Sequence, residues 1–138
     1  MKFDLTKMKF KIVKKFRPSY EEIGEVGDYY ENTILVKNVK NRIYNQLILI
    51  HELIEYFLNS EKGILWQEVD LHERSKQTEF DKRFPEKAKI MDENHKVASQ
   101  IEKILCQALG INYEEYNKYI ENYEAKPINK RKINPSRN

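Results

Sequence analysis

Within "NQLILIHELIEYFLNS", residues 45–60, a run of large apolar side chains is broken by His51, Glu52 and Glu55. Drawing an unpaired carboxylate into an apolar interior is costly unless a partner or a cation compensates it. On a helix, residues four apart share a face, so His51 and Glu55 aim at one point while Glu52 borders that face. One imidazole and one carboxylate converging, with a second carboxylate beside them, suit a divalent metal site with an adjacent base, the alternatives being an exposed polar stripe or a buried hydrogen-bonded network without metal.

In the HExxH pattern, two His four apart on a helix hold Zn²⁺ and the Glu after the first His serves the metal-bound water as base. Here the stretch reads "HELIE", with Glu55 in place of the second imidazole. Carboxylate oxygen ligates zinc at roughly 2.0–2.2 Å, so the exchange is chemically permitted. It weakens the ion's depression of the bound water's pKa, and the harder oxygen ligand makes Mn²⁺ or Fe²⁺ competitors of Zn²⁺.

A mononuclear catalytic site needs a third protein ligand and one open position. The two other histidines are His72 and His95. His95 lies near the start of a second amphipathic segment, with Met91, Ala98 and Glu102 on its face, and a helix packed against the first would present it rigidly. The expected metal ligands are therefore His51, Glu55 and His95, with Glu52 as catalytic base and Glu102 as a supporting or alternative ligand. His72, in "VDLHERS", falls in a charged, irregular segment; exposure is expected there, with an oxyanion or proton-donor role as the lesser alternative.

These side chains need elements to hold them. "KFKIVKKF", residues 9–16, alternates as a strand does, and "RPSYEE" breaks it at Pro18. After Gly24 and Gly27, residues 28–32 are turn-rich, consistent with a short strand pair or a loop entering a strand, and 33–38 form a second strand. Asn41 is placed to cap a helix running to Asn59 or Ser60, with its apolar residues at 43, 47, 50, 54, 57 and 58. Residues 64–85 have weak periodicity, a short helix with loops ending at Pro85. Glu86 to Leu109 is a long amphipathic helix with Gly110 at C′, and a last helix follows Asn112 over 113–123. The order predicts an α+β domain, a small antiparallel sheet packed against three to four helices.

The length of 138 residues suits one domain, assigned to 1–124, followed by a basic tail over 125–138. The last thirteen residues hold five of the 25 Lys and Arg and no acid, leaving 20 basic against 22 acidic residues before them. The tail is expected to be disordered and is the one basic arm that would meet nucleic acid; no basic helix face with interleaved aromatics points that way. The single Cys106 excludes an internal disulfide and is expected in the core. The Lys-interrupted N-terminus lacks a signal-peptide h-region and no window suits a membrane span, so the expected location is cytoplasmic.

The stretch "GDYYENTILVKNVKNRIYNQLILIHELIE" resembles the core of small zincin-like metallopeptidases of the kind common in phages and mobile elements, and "ENHKVASQIEKILCQALGI" is similar to their later ligand-bearing helix. The resemblance implies a zincin-like fold, a peptide or protein substrate, His51 as ligand and Glu52 as general base. It also implies that Thr33 to Lys37 is an edge strand along which an extended peptide would pair. A zincin-like hydrolase is the first expectation and a catalytically degenerate binding or regulatory module the second. An all-α Mg²⁺ pyrophosphatase, using Glu52 and Glu55 with Glu93 or Glu102, is a third.

Overall fold

The computed structural model describes residues 3–14, 25–74 and 79–124. The break at Pro18, the loop at Gly24 and the basic tail lie outside these residues, as do Lys15 and Phe16 at the end of the expected first strand. After a 3-10 turn over Leu5–Lys7 come strands β1 (Lys9–Val13), β2 (Gly27–Tyr30) and β3 (Thr33–Lys37). Five α-helices follow among the described residues: α1 (Arg42–Glu61), α2 (Trp66–Arg74), α3 (Glu79–Arg83), α4 (Pro85–Ala108) and α5 (Tyr113–Glu121). The fold is α+β, with one helix more than expected because two short helices, Trp66–Arg74 and Glu79–Arg83, stand where one was expected.

The sheet corrects two expectations. It is mixed, in the order β1-β3-β2, with β1 parallel and β2 antiparallel to β3. Period-two alternation is blind to strand direction, and residues 14–32 supply the dozen or more residues that a parallel connection needs. Thr33–Lys37 is therefore the central strand, not an edge; its two sides are occupied by β1 and β2, so no peptide can pair along it. The all-α alternative falls with the presence of the sheet, and its Glu93 is solvent-exposed.

The helix boundaries follow local chemistry. Asn41 caps α1 by accepting from the Tyr44 amide, and Asn112 caps α5 by accepting from the Glu115 amide. Pro85, expected as the end of the preceding segment, instead occupies the first turn of α4, where its missing N–H is no loss. In the β2–β3 hairpin Glu31 adopts φ 53°, an uncommon conformation for a non-glycine residue, in the two-residue turn between Tyr30 and Thr33.

Helix α1 packs against α4 on one side and against β2 and β3 on another. Its buried residues are Asn45, Leu47, Ile48, His51, Glu52, Tyr56 and Asn59. The expected apolar face is thus only partly the inward one: Leu47 is buried, whereas Ile50 and Phe57 are exposed. One apolar cluster joins Val26, Val36, Val39, Leu47, Ile48, Cys106, Tyr116 and Ile120; a second joins Tyr29, Ile34, Tyr56, Ile64, Val69, Phe80 and Met91. The α1–α4 pair also buries polar side chains: Asn45, His51, Glu52 and Asn59 from α1 and Asn94 and Glu102 from α4. No helix among the described residues is long and apolar enough to cross a membrane.

Candidate metal centre

Helices α1 and α4 run antiparallel, since His51 meets Glu102 while Glu55, one turn later, meets His95 seven residues earlier. This crossing brings together side chains that the sequence holds 40 and 51 residues apart. Glu55 Oε2 lies 2.6 Å from His51 Nε2 and 2.5 Å from His95 Nδ1. The two rings meet edge to face with centroids 5.0 Å apart. His51, Glu55 and His95 each offer a donor atom, all within 4.8 Å of one another. His51 is buried, Glu55 is partly buried, and the His95 side chain, 32% exposed, opens the cluster towards solvent.

Glu102 stands behind the first ring rather than in the group of three. Its Oε1 lies 2.9 Å from His51 Nδ1, its Oε2 accepts from the Tyr116 hydroxyl, and its side chain is 1% exposed. The supporting role considered for Glu102 is therefore the one its position suits: a carboxylate on the far nitrogen of a ligating imidazole fixes the ring's orientation and tautomer. Tyr116 gave no signal in sequence, because one tyrosine among several on an amphipathic helix reads as packing.

Glu52 is also buried, with its carboxylate packed against Gly27 of β2, and it is not one of the three grouped donors. A Cβ built on Gly27 would lie 2.5 Å from its Cγ, Cδ and Oε2. Gly27 thus admits the Glu52 carboxylate against the first residue of β2, the kind of close approach that a strand glycine permits. Beside it, the Tyr29 hydroxyl accepts from Asn59 Nδ2 at 2.7 Å, and the chain continues through Asn94 to Lys62. Burial raises the Tyr29 pKa well above its usual value, and the negative charges of Glu55 and Glu52 add to the shift, so its phenol stays protonated.

His72 departs from expectation. It lies on helix α2, not in a loop, and it is buried. Its Nδ1 meets Asp81 Oδ1 at 2.8 Å and its Nε2 meets Asp92 Oδ1 at 2.9 Å, so it ties α2 to α3 and α4 and is not part of the three-residue group. Cys106, buried as expected, has its thiol pushed up to about 11, first by burial and then by the Glu102 charge. It stays a thiol within the apolar cluster.

The electrostatics of the centre follow from the same distances. Both His51 nitrogens face carboxylate oxygens, an arrangement that an imidazolium with its two N–H donors satisfies. Burial works against that charge, but Glu55 and Glu102 outweigh it and raise the His51 pKa to about 10. Burial likewise opposes ionisation of Glu55, and the adjacent His51 and His95 overcome it, holding the carboxyl far below its ordinary value.

Two imidazoles and one carboxylate form a ligand set that holds catalytic zinc with a fourth position open. Bonds of roughly 2.0–2.1 Å at tetrahedral angles separate ligand atoms by about 3.3 Å. Glu55 Oε2 sits closer than that to both rings, at hydrogen-bonding distance. An ion replacing the shared protons would part each Glu55 contact by under one ångström, and the three donor atoms already lie within 4.8 Å of one another, so the donor set fits a divalent ion.

No protein-family model matches the chain, and no match was found among curated proteins or solved structures.

Proposed function

We propose that the chain is a metal-dependent hydrolase of zincin-like type acting on a peptide or protein amide bond, with His51, Glu55 and His95 as ligands and Zn²⁺ as the metal. Mn²⁺ and Fe²⁺ are the competitors that the carboxylate ligand admits. The observation that carries the proposal is the meeting of Glu55 with two imidazoles from different helices, one of them braced from behind by Glu102. A bound ion would supply Lewis-acid polarisation of the carbonyl and acidification of a water.

The remaining steps belong to side chains. With an ion in place of the shared protons, His51 and His95 would each offer a ring nitrogen and Glu55 its charge, while Glu102 keeps the His51 ring in register. Glu52, one residue after His51, takes the proton of the attacking water as its oxygen bonds to the carbonyl carbon, then delivers that proton to the amine nitrogen as the C–N bond breaks. Tyr29, held in its phenol form beside Glu52 and Glu55, is available to donate a hydrogen bond.

The test is Glu52→Gln. This variant should retain the wild-type metal content and lose peptide hydrolysis by at least about 100-fold, the lower end of what a general base contributes. Hydrolysis of a confirmed substrate at the wild-type rate would remove Glu52 from the role. A second reading, a zincin-like binding or regulatory module, is favoured by the same Glu55 contacts, whose 2.5 and 2.6 Å separations suit shared protons. It predicts that metal-replete protein retains no ion.

A further inference from the structure

Helix α5 has no residue in the three-ligand group, yet it reaches the centre through one hydroxyl. Tyr116 on α5 is fully buried and donates to Glu102 Oε2, while Glu102 Oε1 faces His51 Nδ1. The result is a chain of contacts, Tyr116 to Glu102 to His51, spanning α5, α4 and α1. We propose that Tyr116 is a positioning residue for the metal centre: by anchoring one oxygen of Glu102, its hydroxyl holds the other on His51 Nδ1, so that Nε2 is the nitrogen presented to a divalent ion. This inference rests on the metal reading of the site and adds to it a dependence on the docking of α5.

The physical basis is directional. A carboxylate with one oxygen held by a hydroxyl donor is restrained from rotating away from the imidazole it faces with the other. Partners of this kind, one shell removed from the ion, typically change metal affinity by about 10- to 100-fold when lost. The ring of Tyr116 is held separately, edge-on to Tyr44 with centroids 4.9 Å apart and beside Tyr113. Tyr116→Phe therefore removes the hydroxyl and leaves the ring packing in place.

A second hydroxyl on α5 separates positioning from general support. Tyr119 donates to the Val39 carbonyl at 2.7 Å and ties the same helix to the loop before α1. Loss of either hydroxyl should loosen α5, but only Tyr116 contacts Glu102. The experiment is a competitive chelator titration with Zn²⁺ on the full chain, comparing wild type, Tyr116→Phe, Tyr119→Phe and Glu102→Gln, with thermal melts of the metal-free proteins alongside.

Tyr116→Phe and Glu102→Gln should each weaken zinc binding by about 10- to 100-fold, while Tyr119→Phe lowers the melting temperature and binds zinc as wild type does. Wild-type affinity in Tyr116→Phe would overturn the positioning role and leave the metal site standing. Equal weakening in both tyrosine variants would also overturn it, by reducing the effect to helix docking. A wild-type protein that binds no zinc would overturn the metal reading and this inference with it. Should Glu102→Gln fail to fold, the two tyrosine variants decide the matter.

Discussion

At Glu55 a single carboxylate oxygen faces two imidazole nitrogens, so protons and a metal ion compete for the same space. Without metal, His51 keeps its proton up to about pH 10 in the folded chain, against an ordinary 6.5. The folded state then binds more protons than the unfolded state across that interval, and stability falls as pH rises. The contribution of His51 is full below about pH 6.5 and is lost as pH climbs through about 10. Glu55 has the opposite sign: its contribution is present above the ordinary carboxyl pKa of 4.5 and fades as pH falls below it. Metal-free protein should therefore melt highest at about pH 4.5–6.5 and progressively lower towards pH 10. Saturating Zn²⁺ should flatten the alkaline limb, because the ion takes the place of the His51 proton. Thermal melts with chelator and with zinc across this range check it, and a metal-free melting temperature that rises between pH 6.5 and 10 would contradict the assigned charge state.

Among the elements, α1 and β2 meet where Glu52 rests on Gly27. A methyl group at position 27 would collide with the end of the Glu52 side chain, which must then move. Gly27→Ala should cost about 1–3 kcal/mol, the usual range for overpacking, abolish hydrolysis by displacing the proposed base, and leave zinc stoichiometry unchanged because Glu52, not one of the three proposed ligands, packs on Gly27. Denaturant melts, metal analysis and activity on the same preparation separate these effects. The elements themselves were largely legible in the sequence. Asn41 and Asn112 cap the helices they were expected to cap, and the 3.6-residue pattern gave α4 within a residue or two at each end. What periodicity could not provide was facing and direction. Ile50 and Phe57 look like core positions, but α1 turns its polar row inward and leaves them outside. The parallel pairing of β1 with β3 likewise leaves no mark in either strand.

Across the whole molecule, the α1–α4 crossing brings local motifs together as a candidate site. His51 and Glu55 were readable as a pair from their spacing, and His95 from its place on a second amphipathic helix. The partners of His72 and the hydroxyl of Tyr116 were not, since each contact is made between helices whose relative placement no short window specifies. An ion bound at the crossing would link α1 to α4 and stabilise the entire fold by mass action, by about 2.7 kcal/mol at a free concentration 100 times its Kd. The most direct measurement is the zinc stoichiometry of chelator-treated, zinc-reloaded protein, taken for wild type, His51→Ala and His95→Ala. The metal centre predicts about one ion per wild-type chain, on the four-coordinate, three-ligand pattern, and loss of it in both variants. A wild type that retains no zinc, or a His95→Ala protein that retains it in full, would contradict the centre described above.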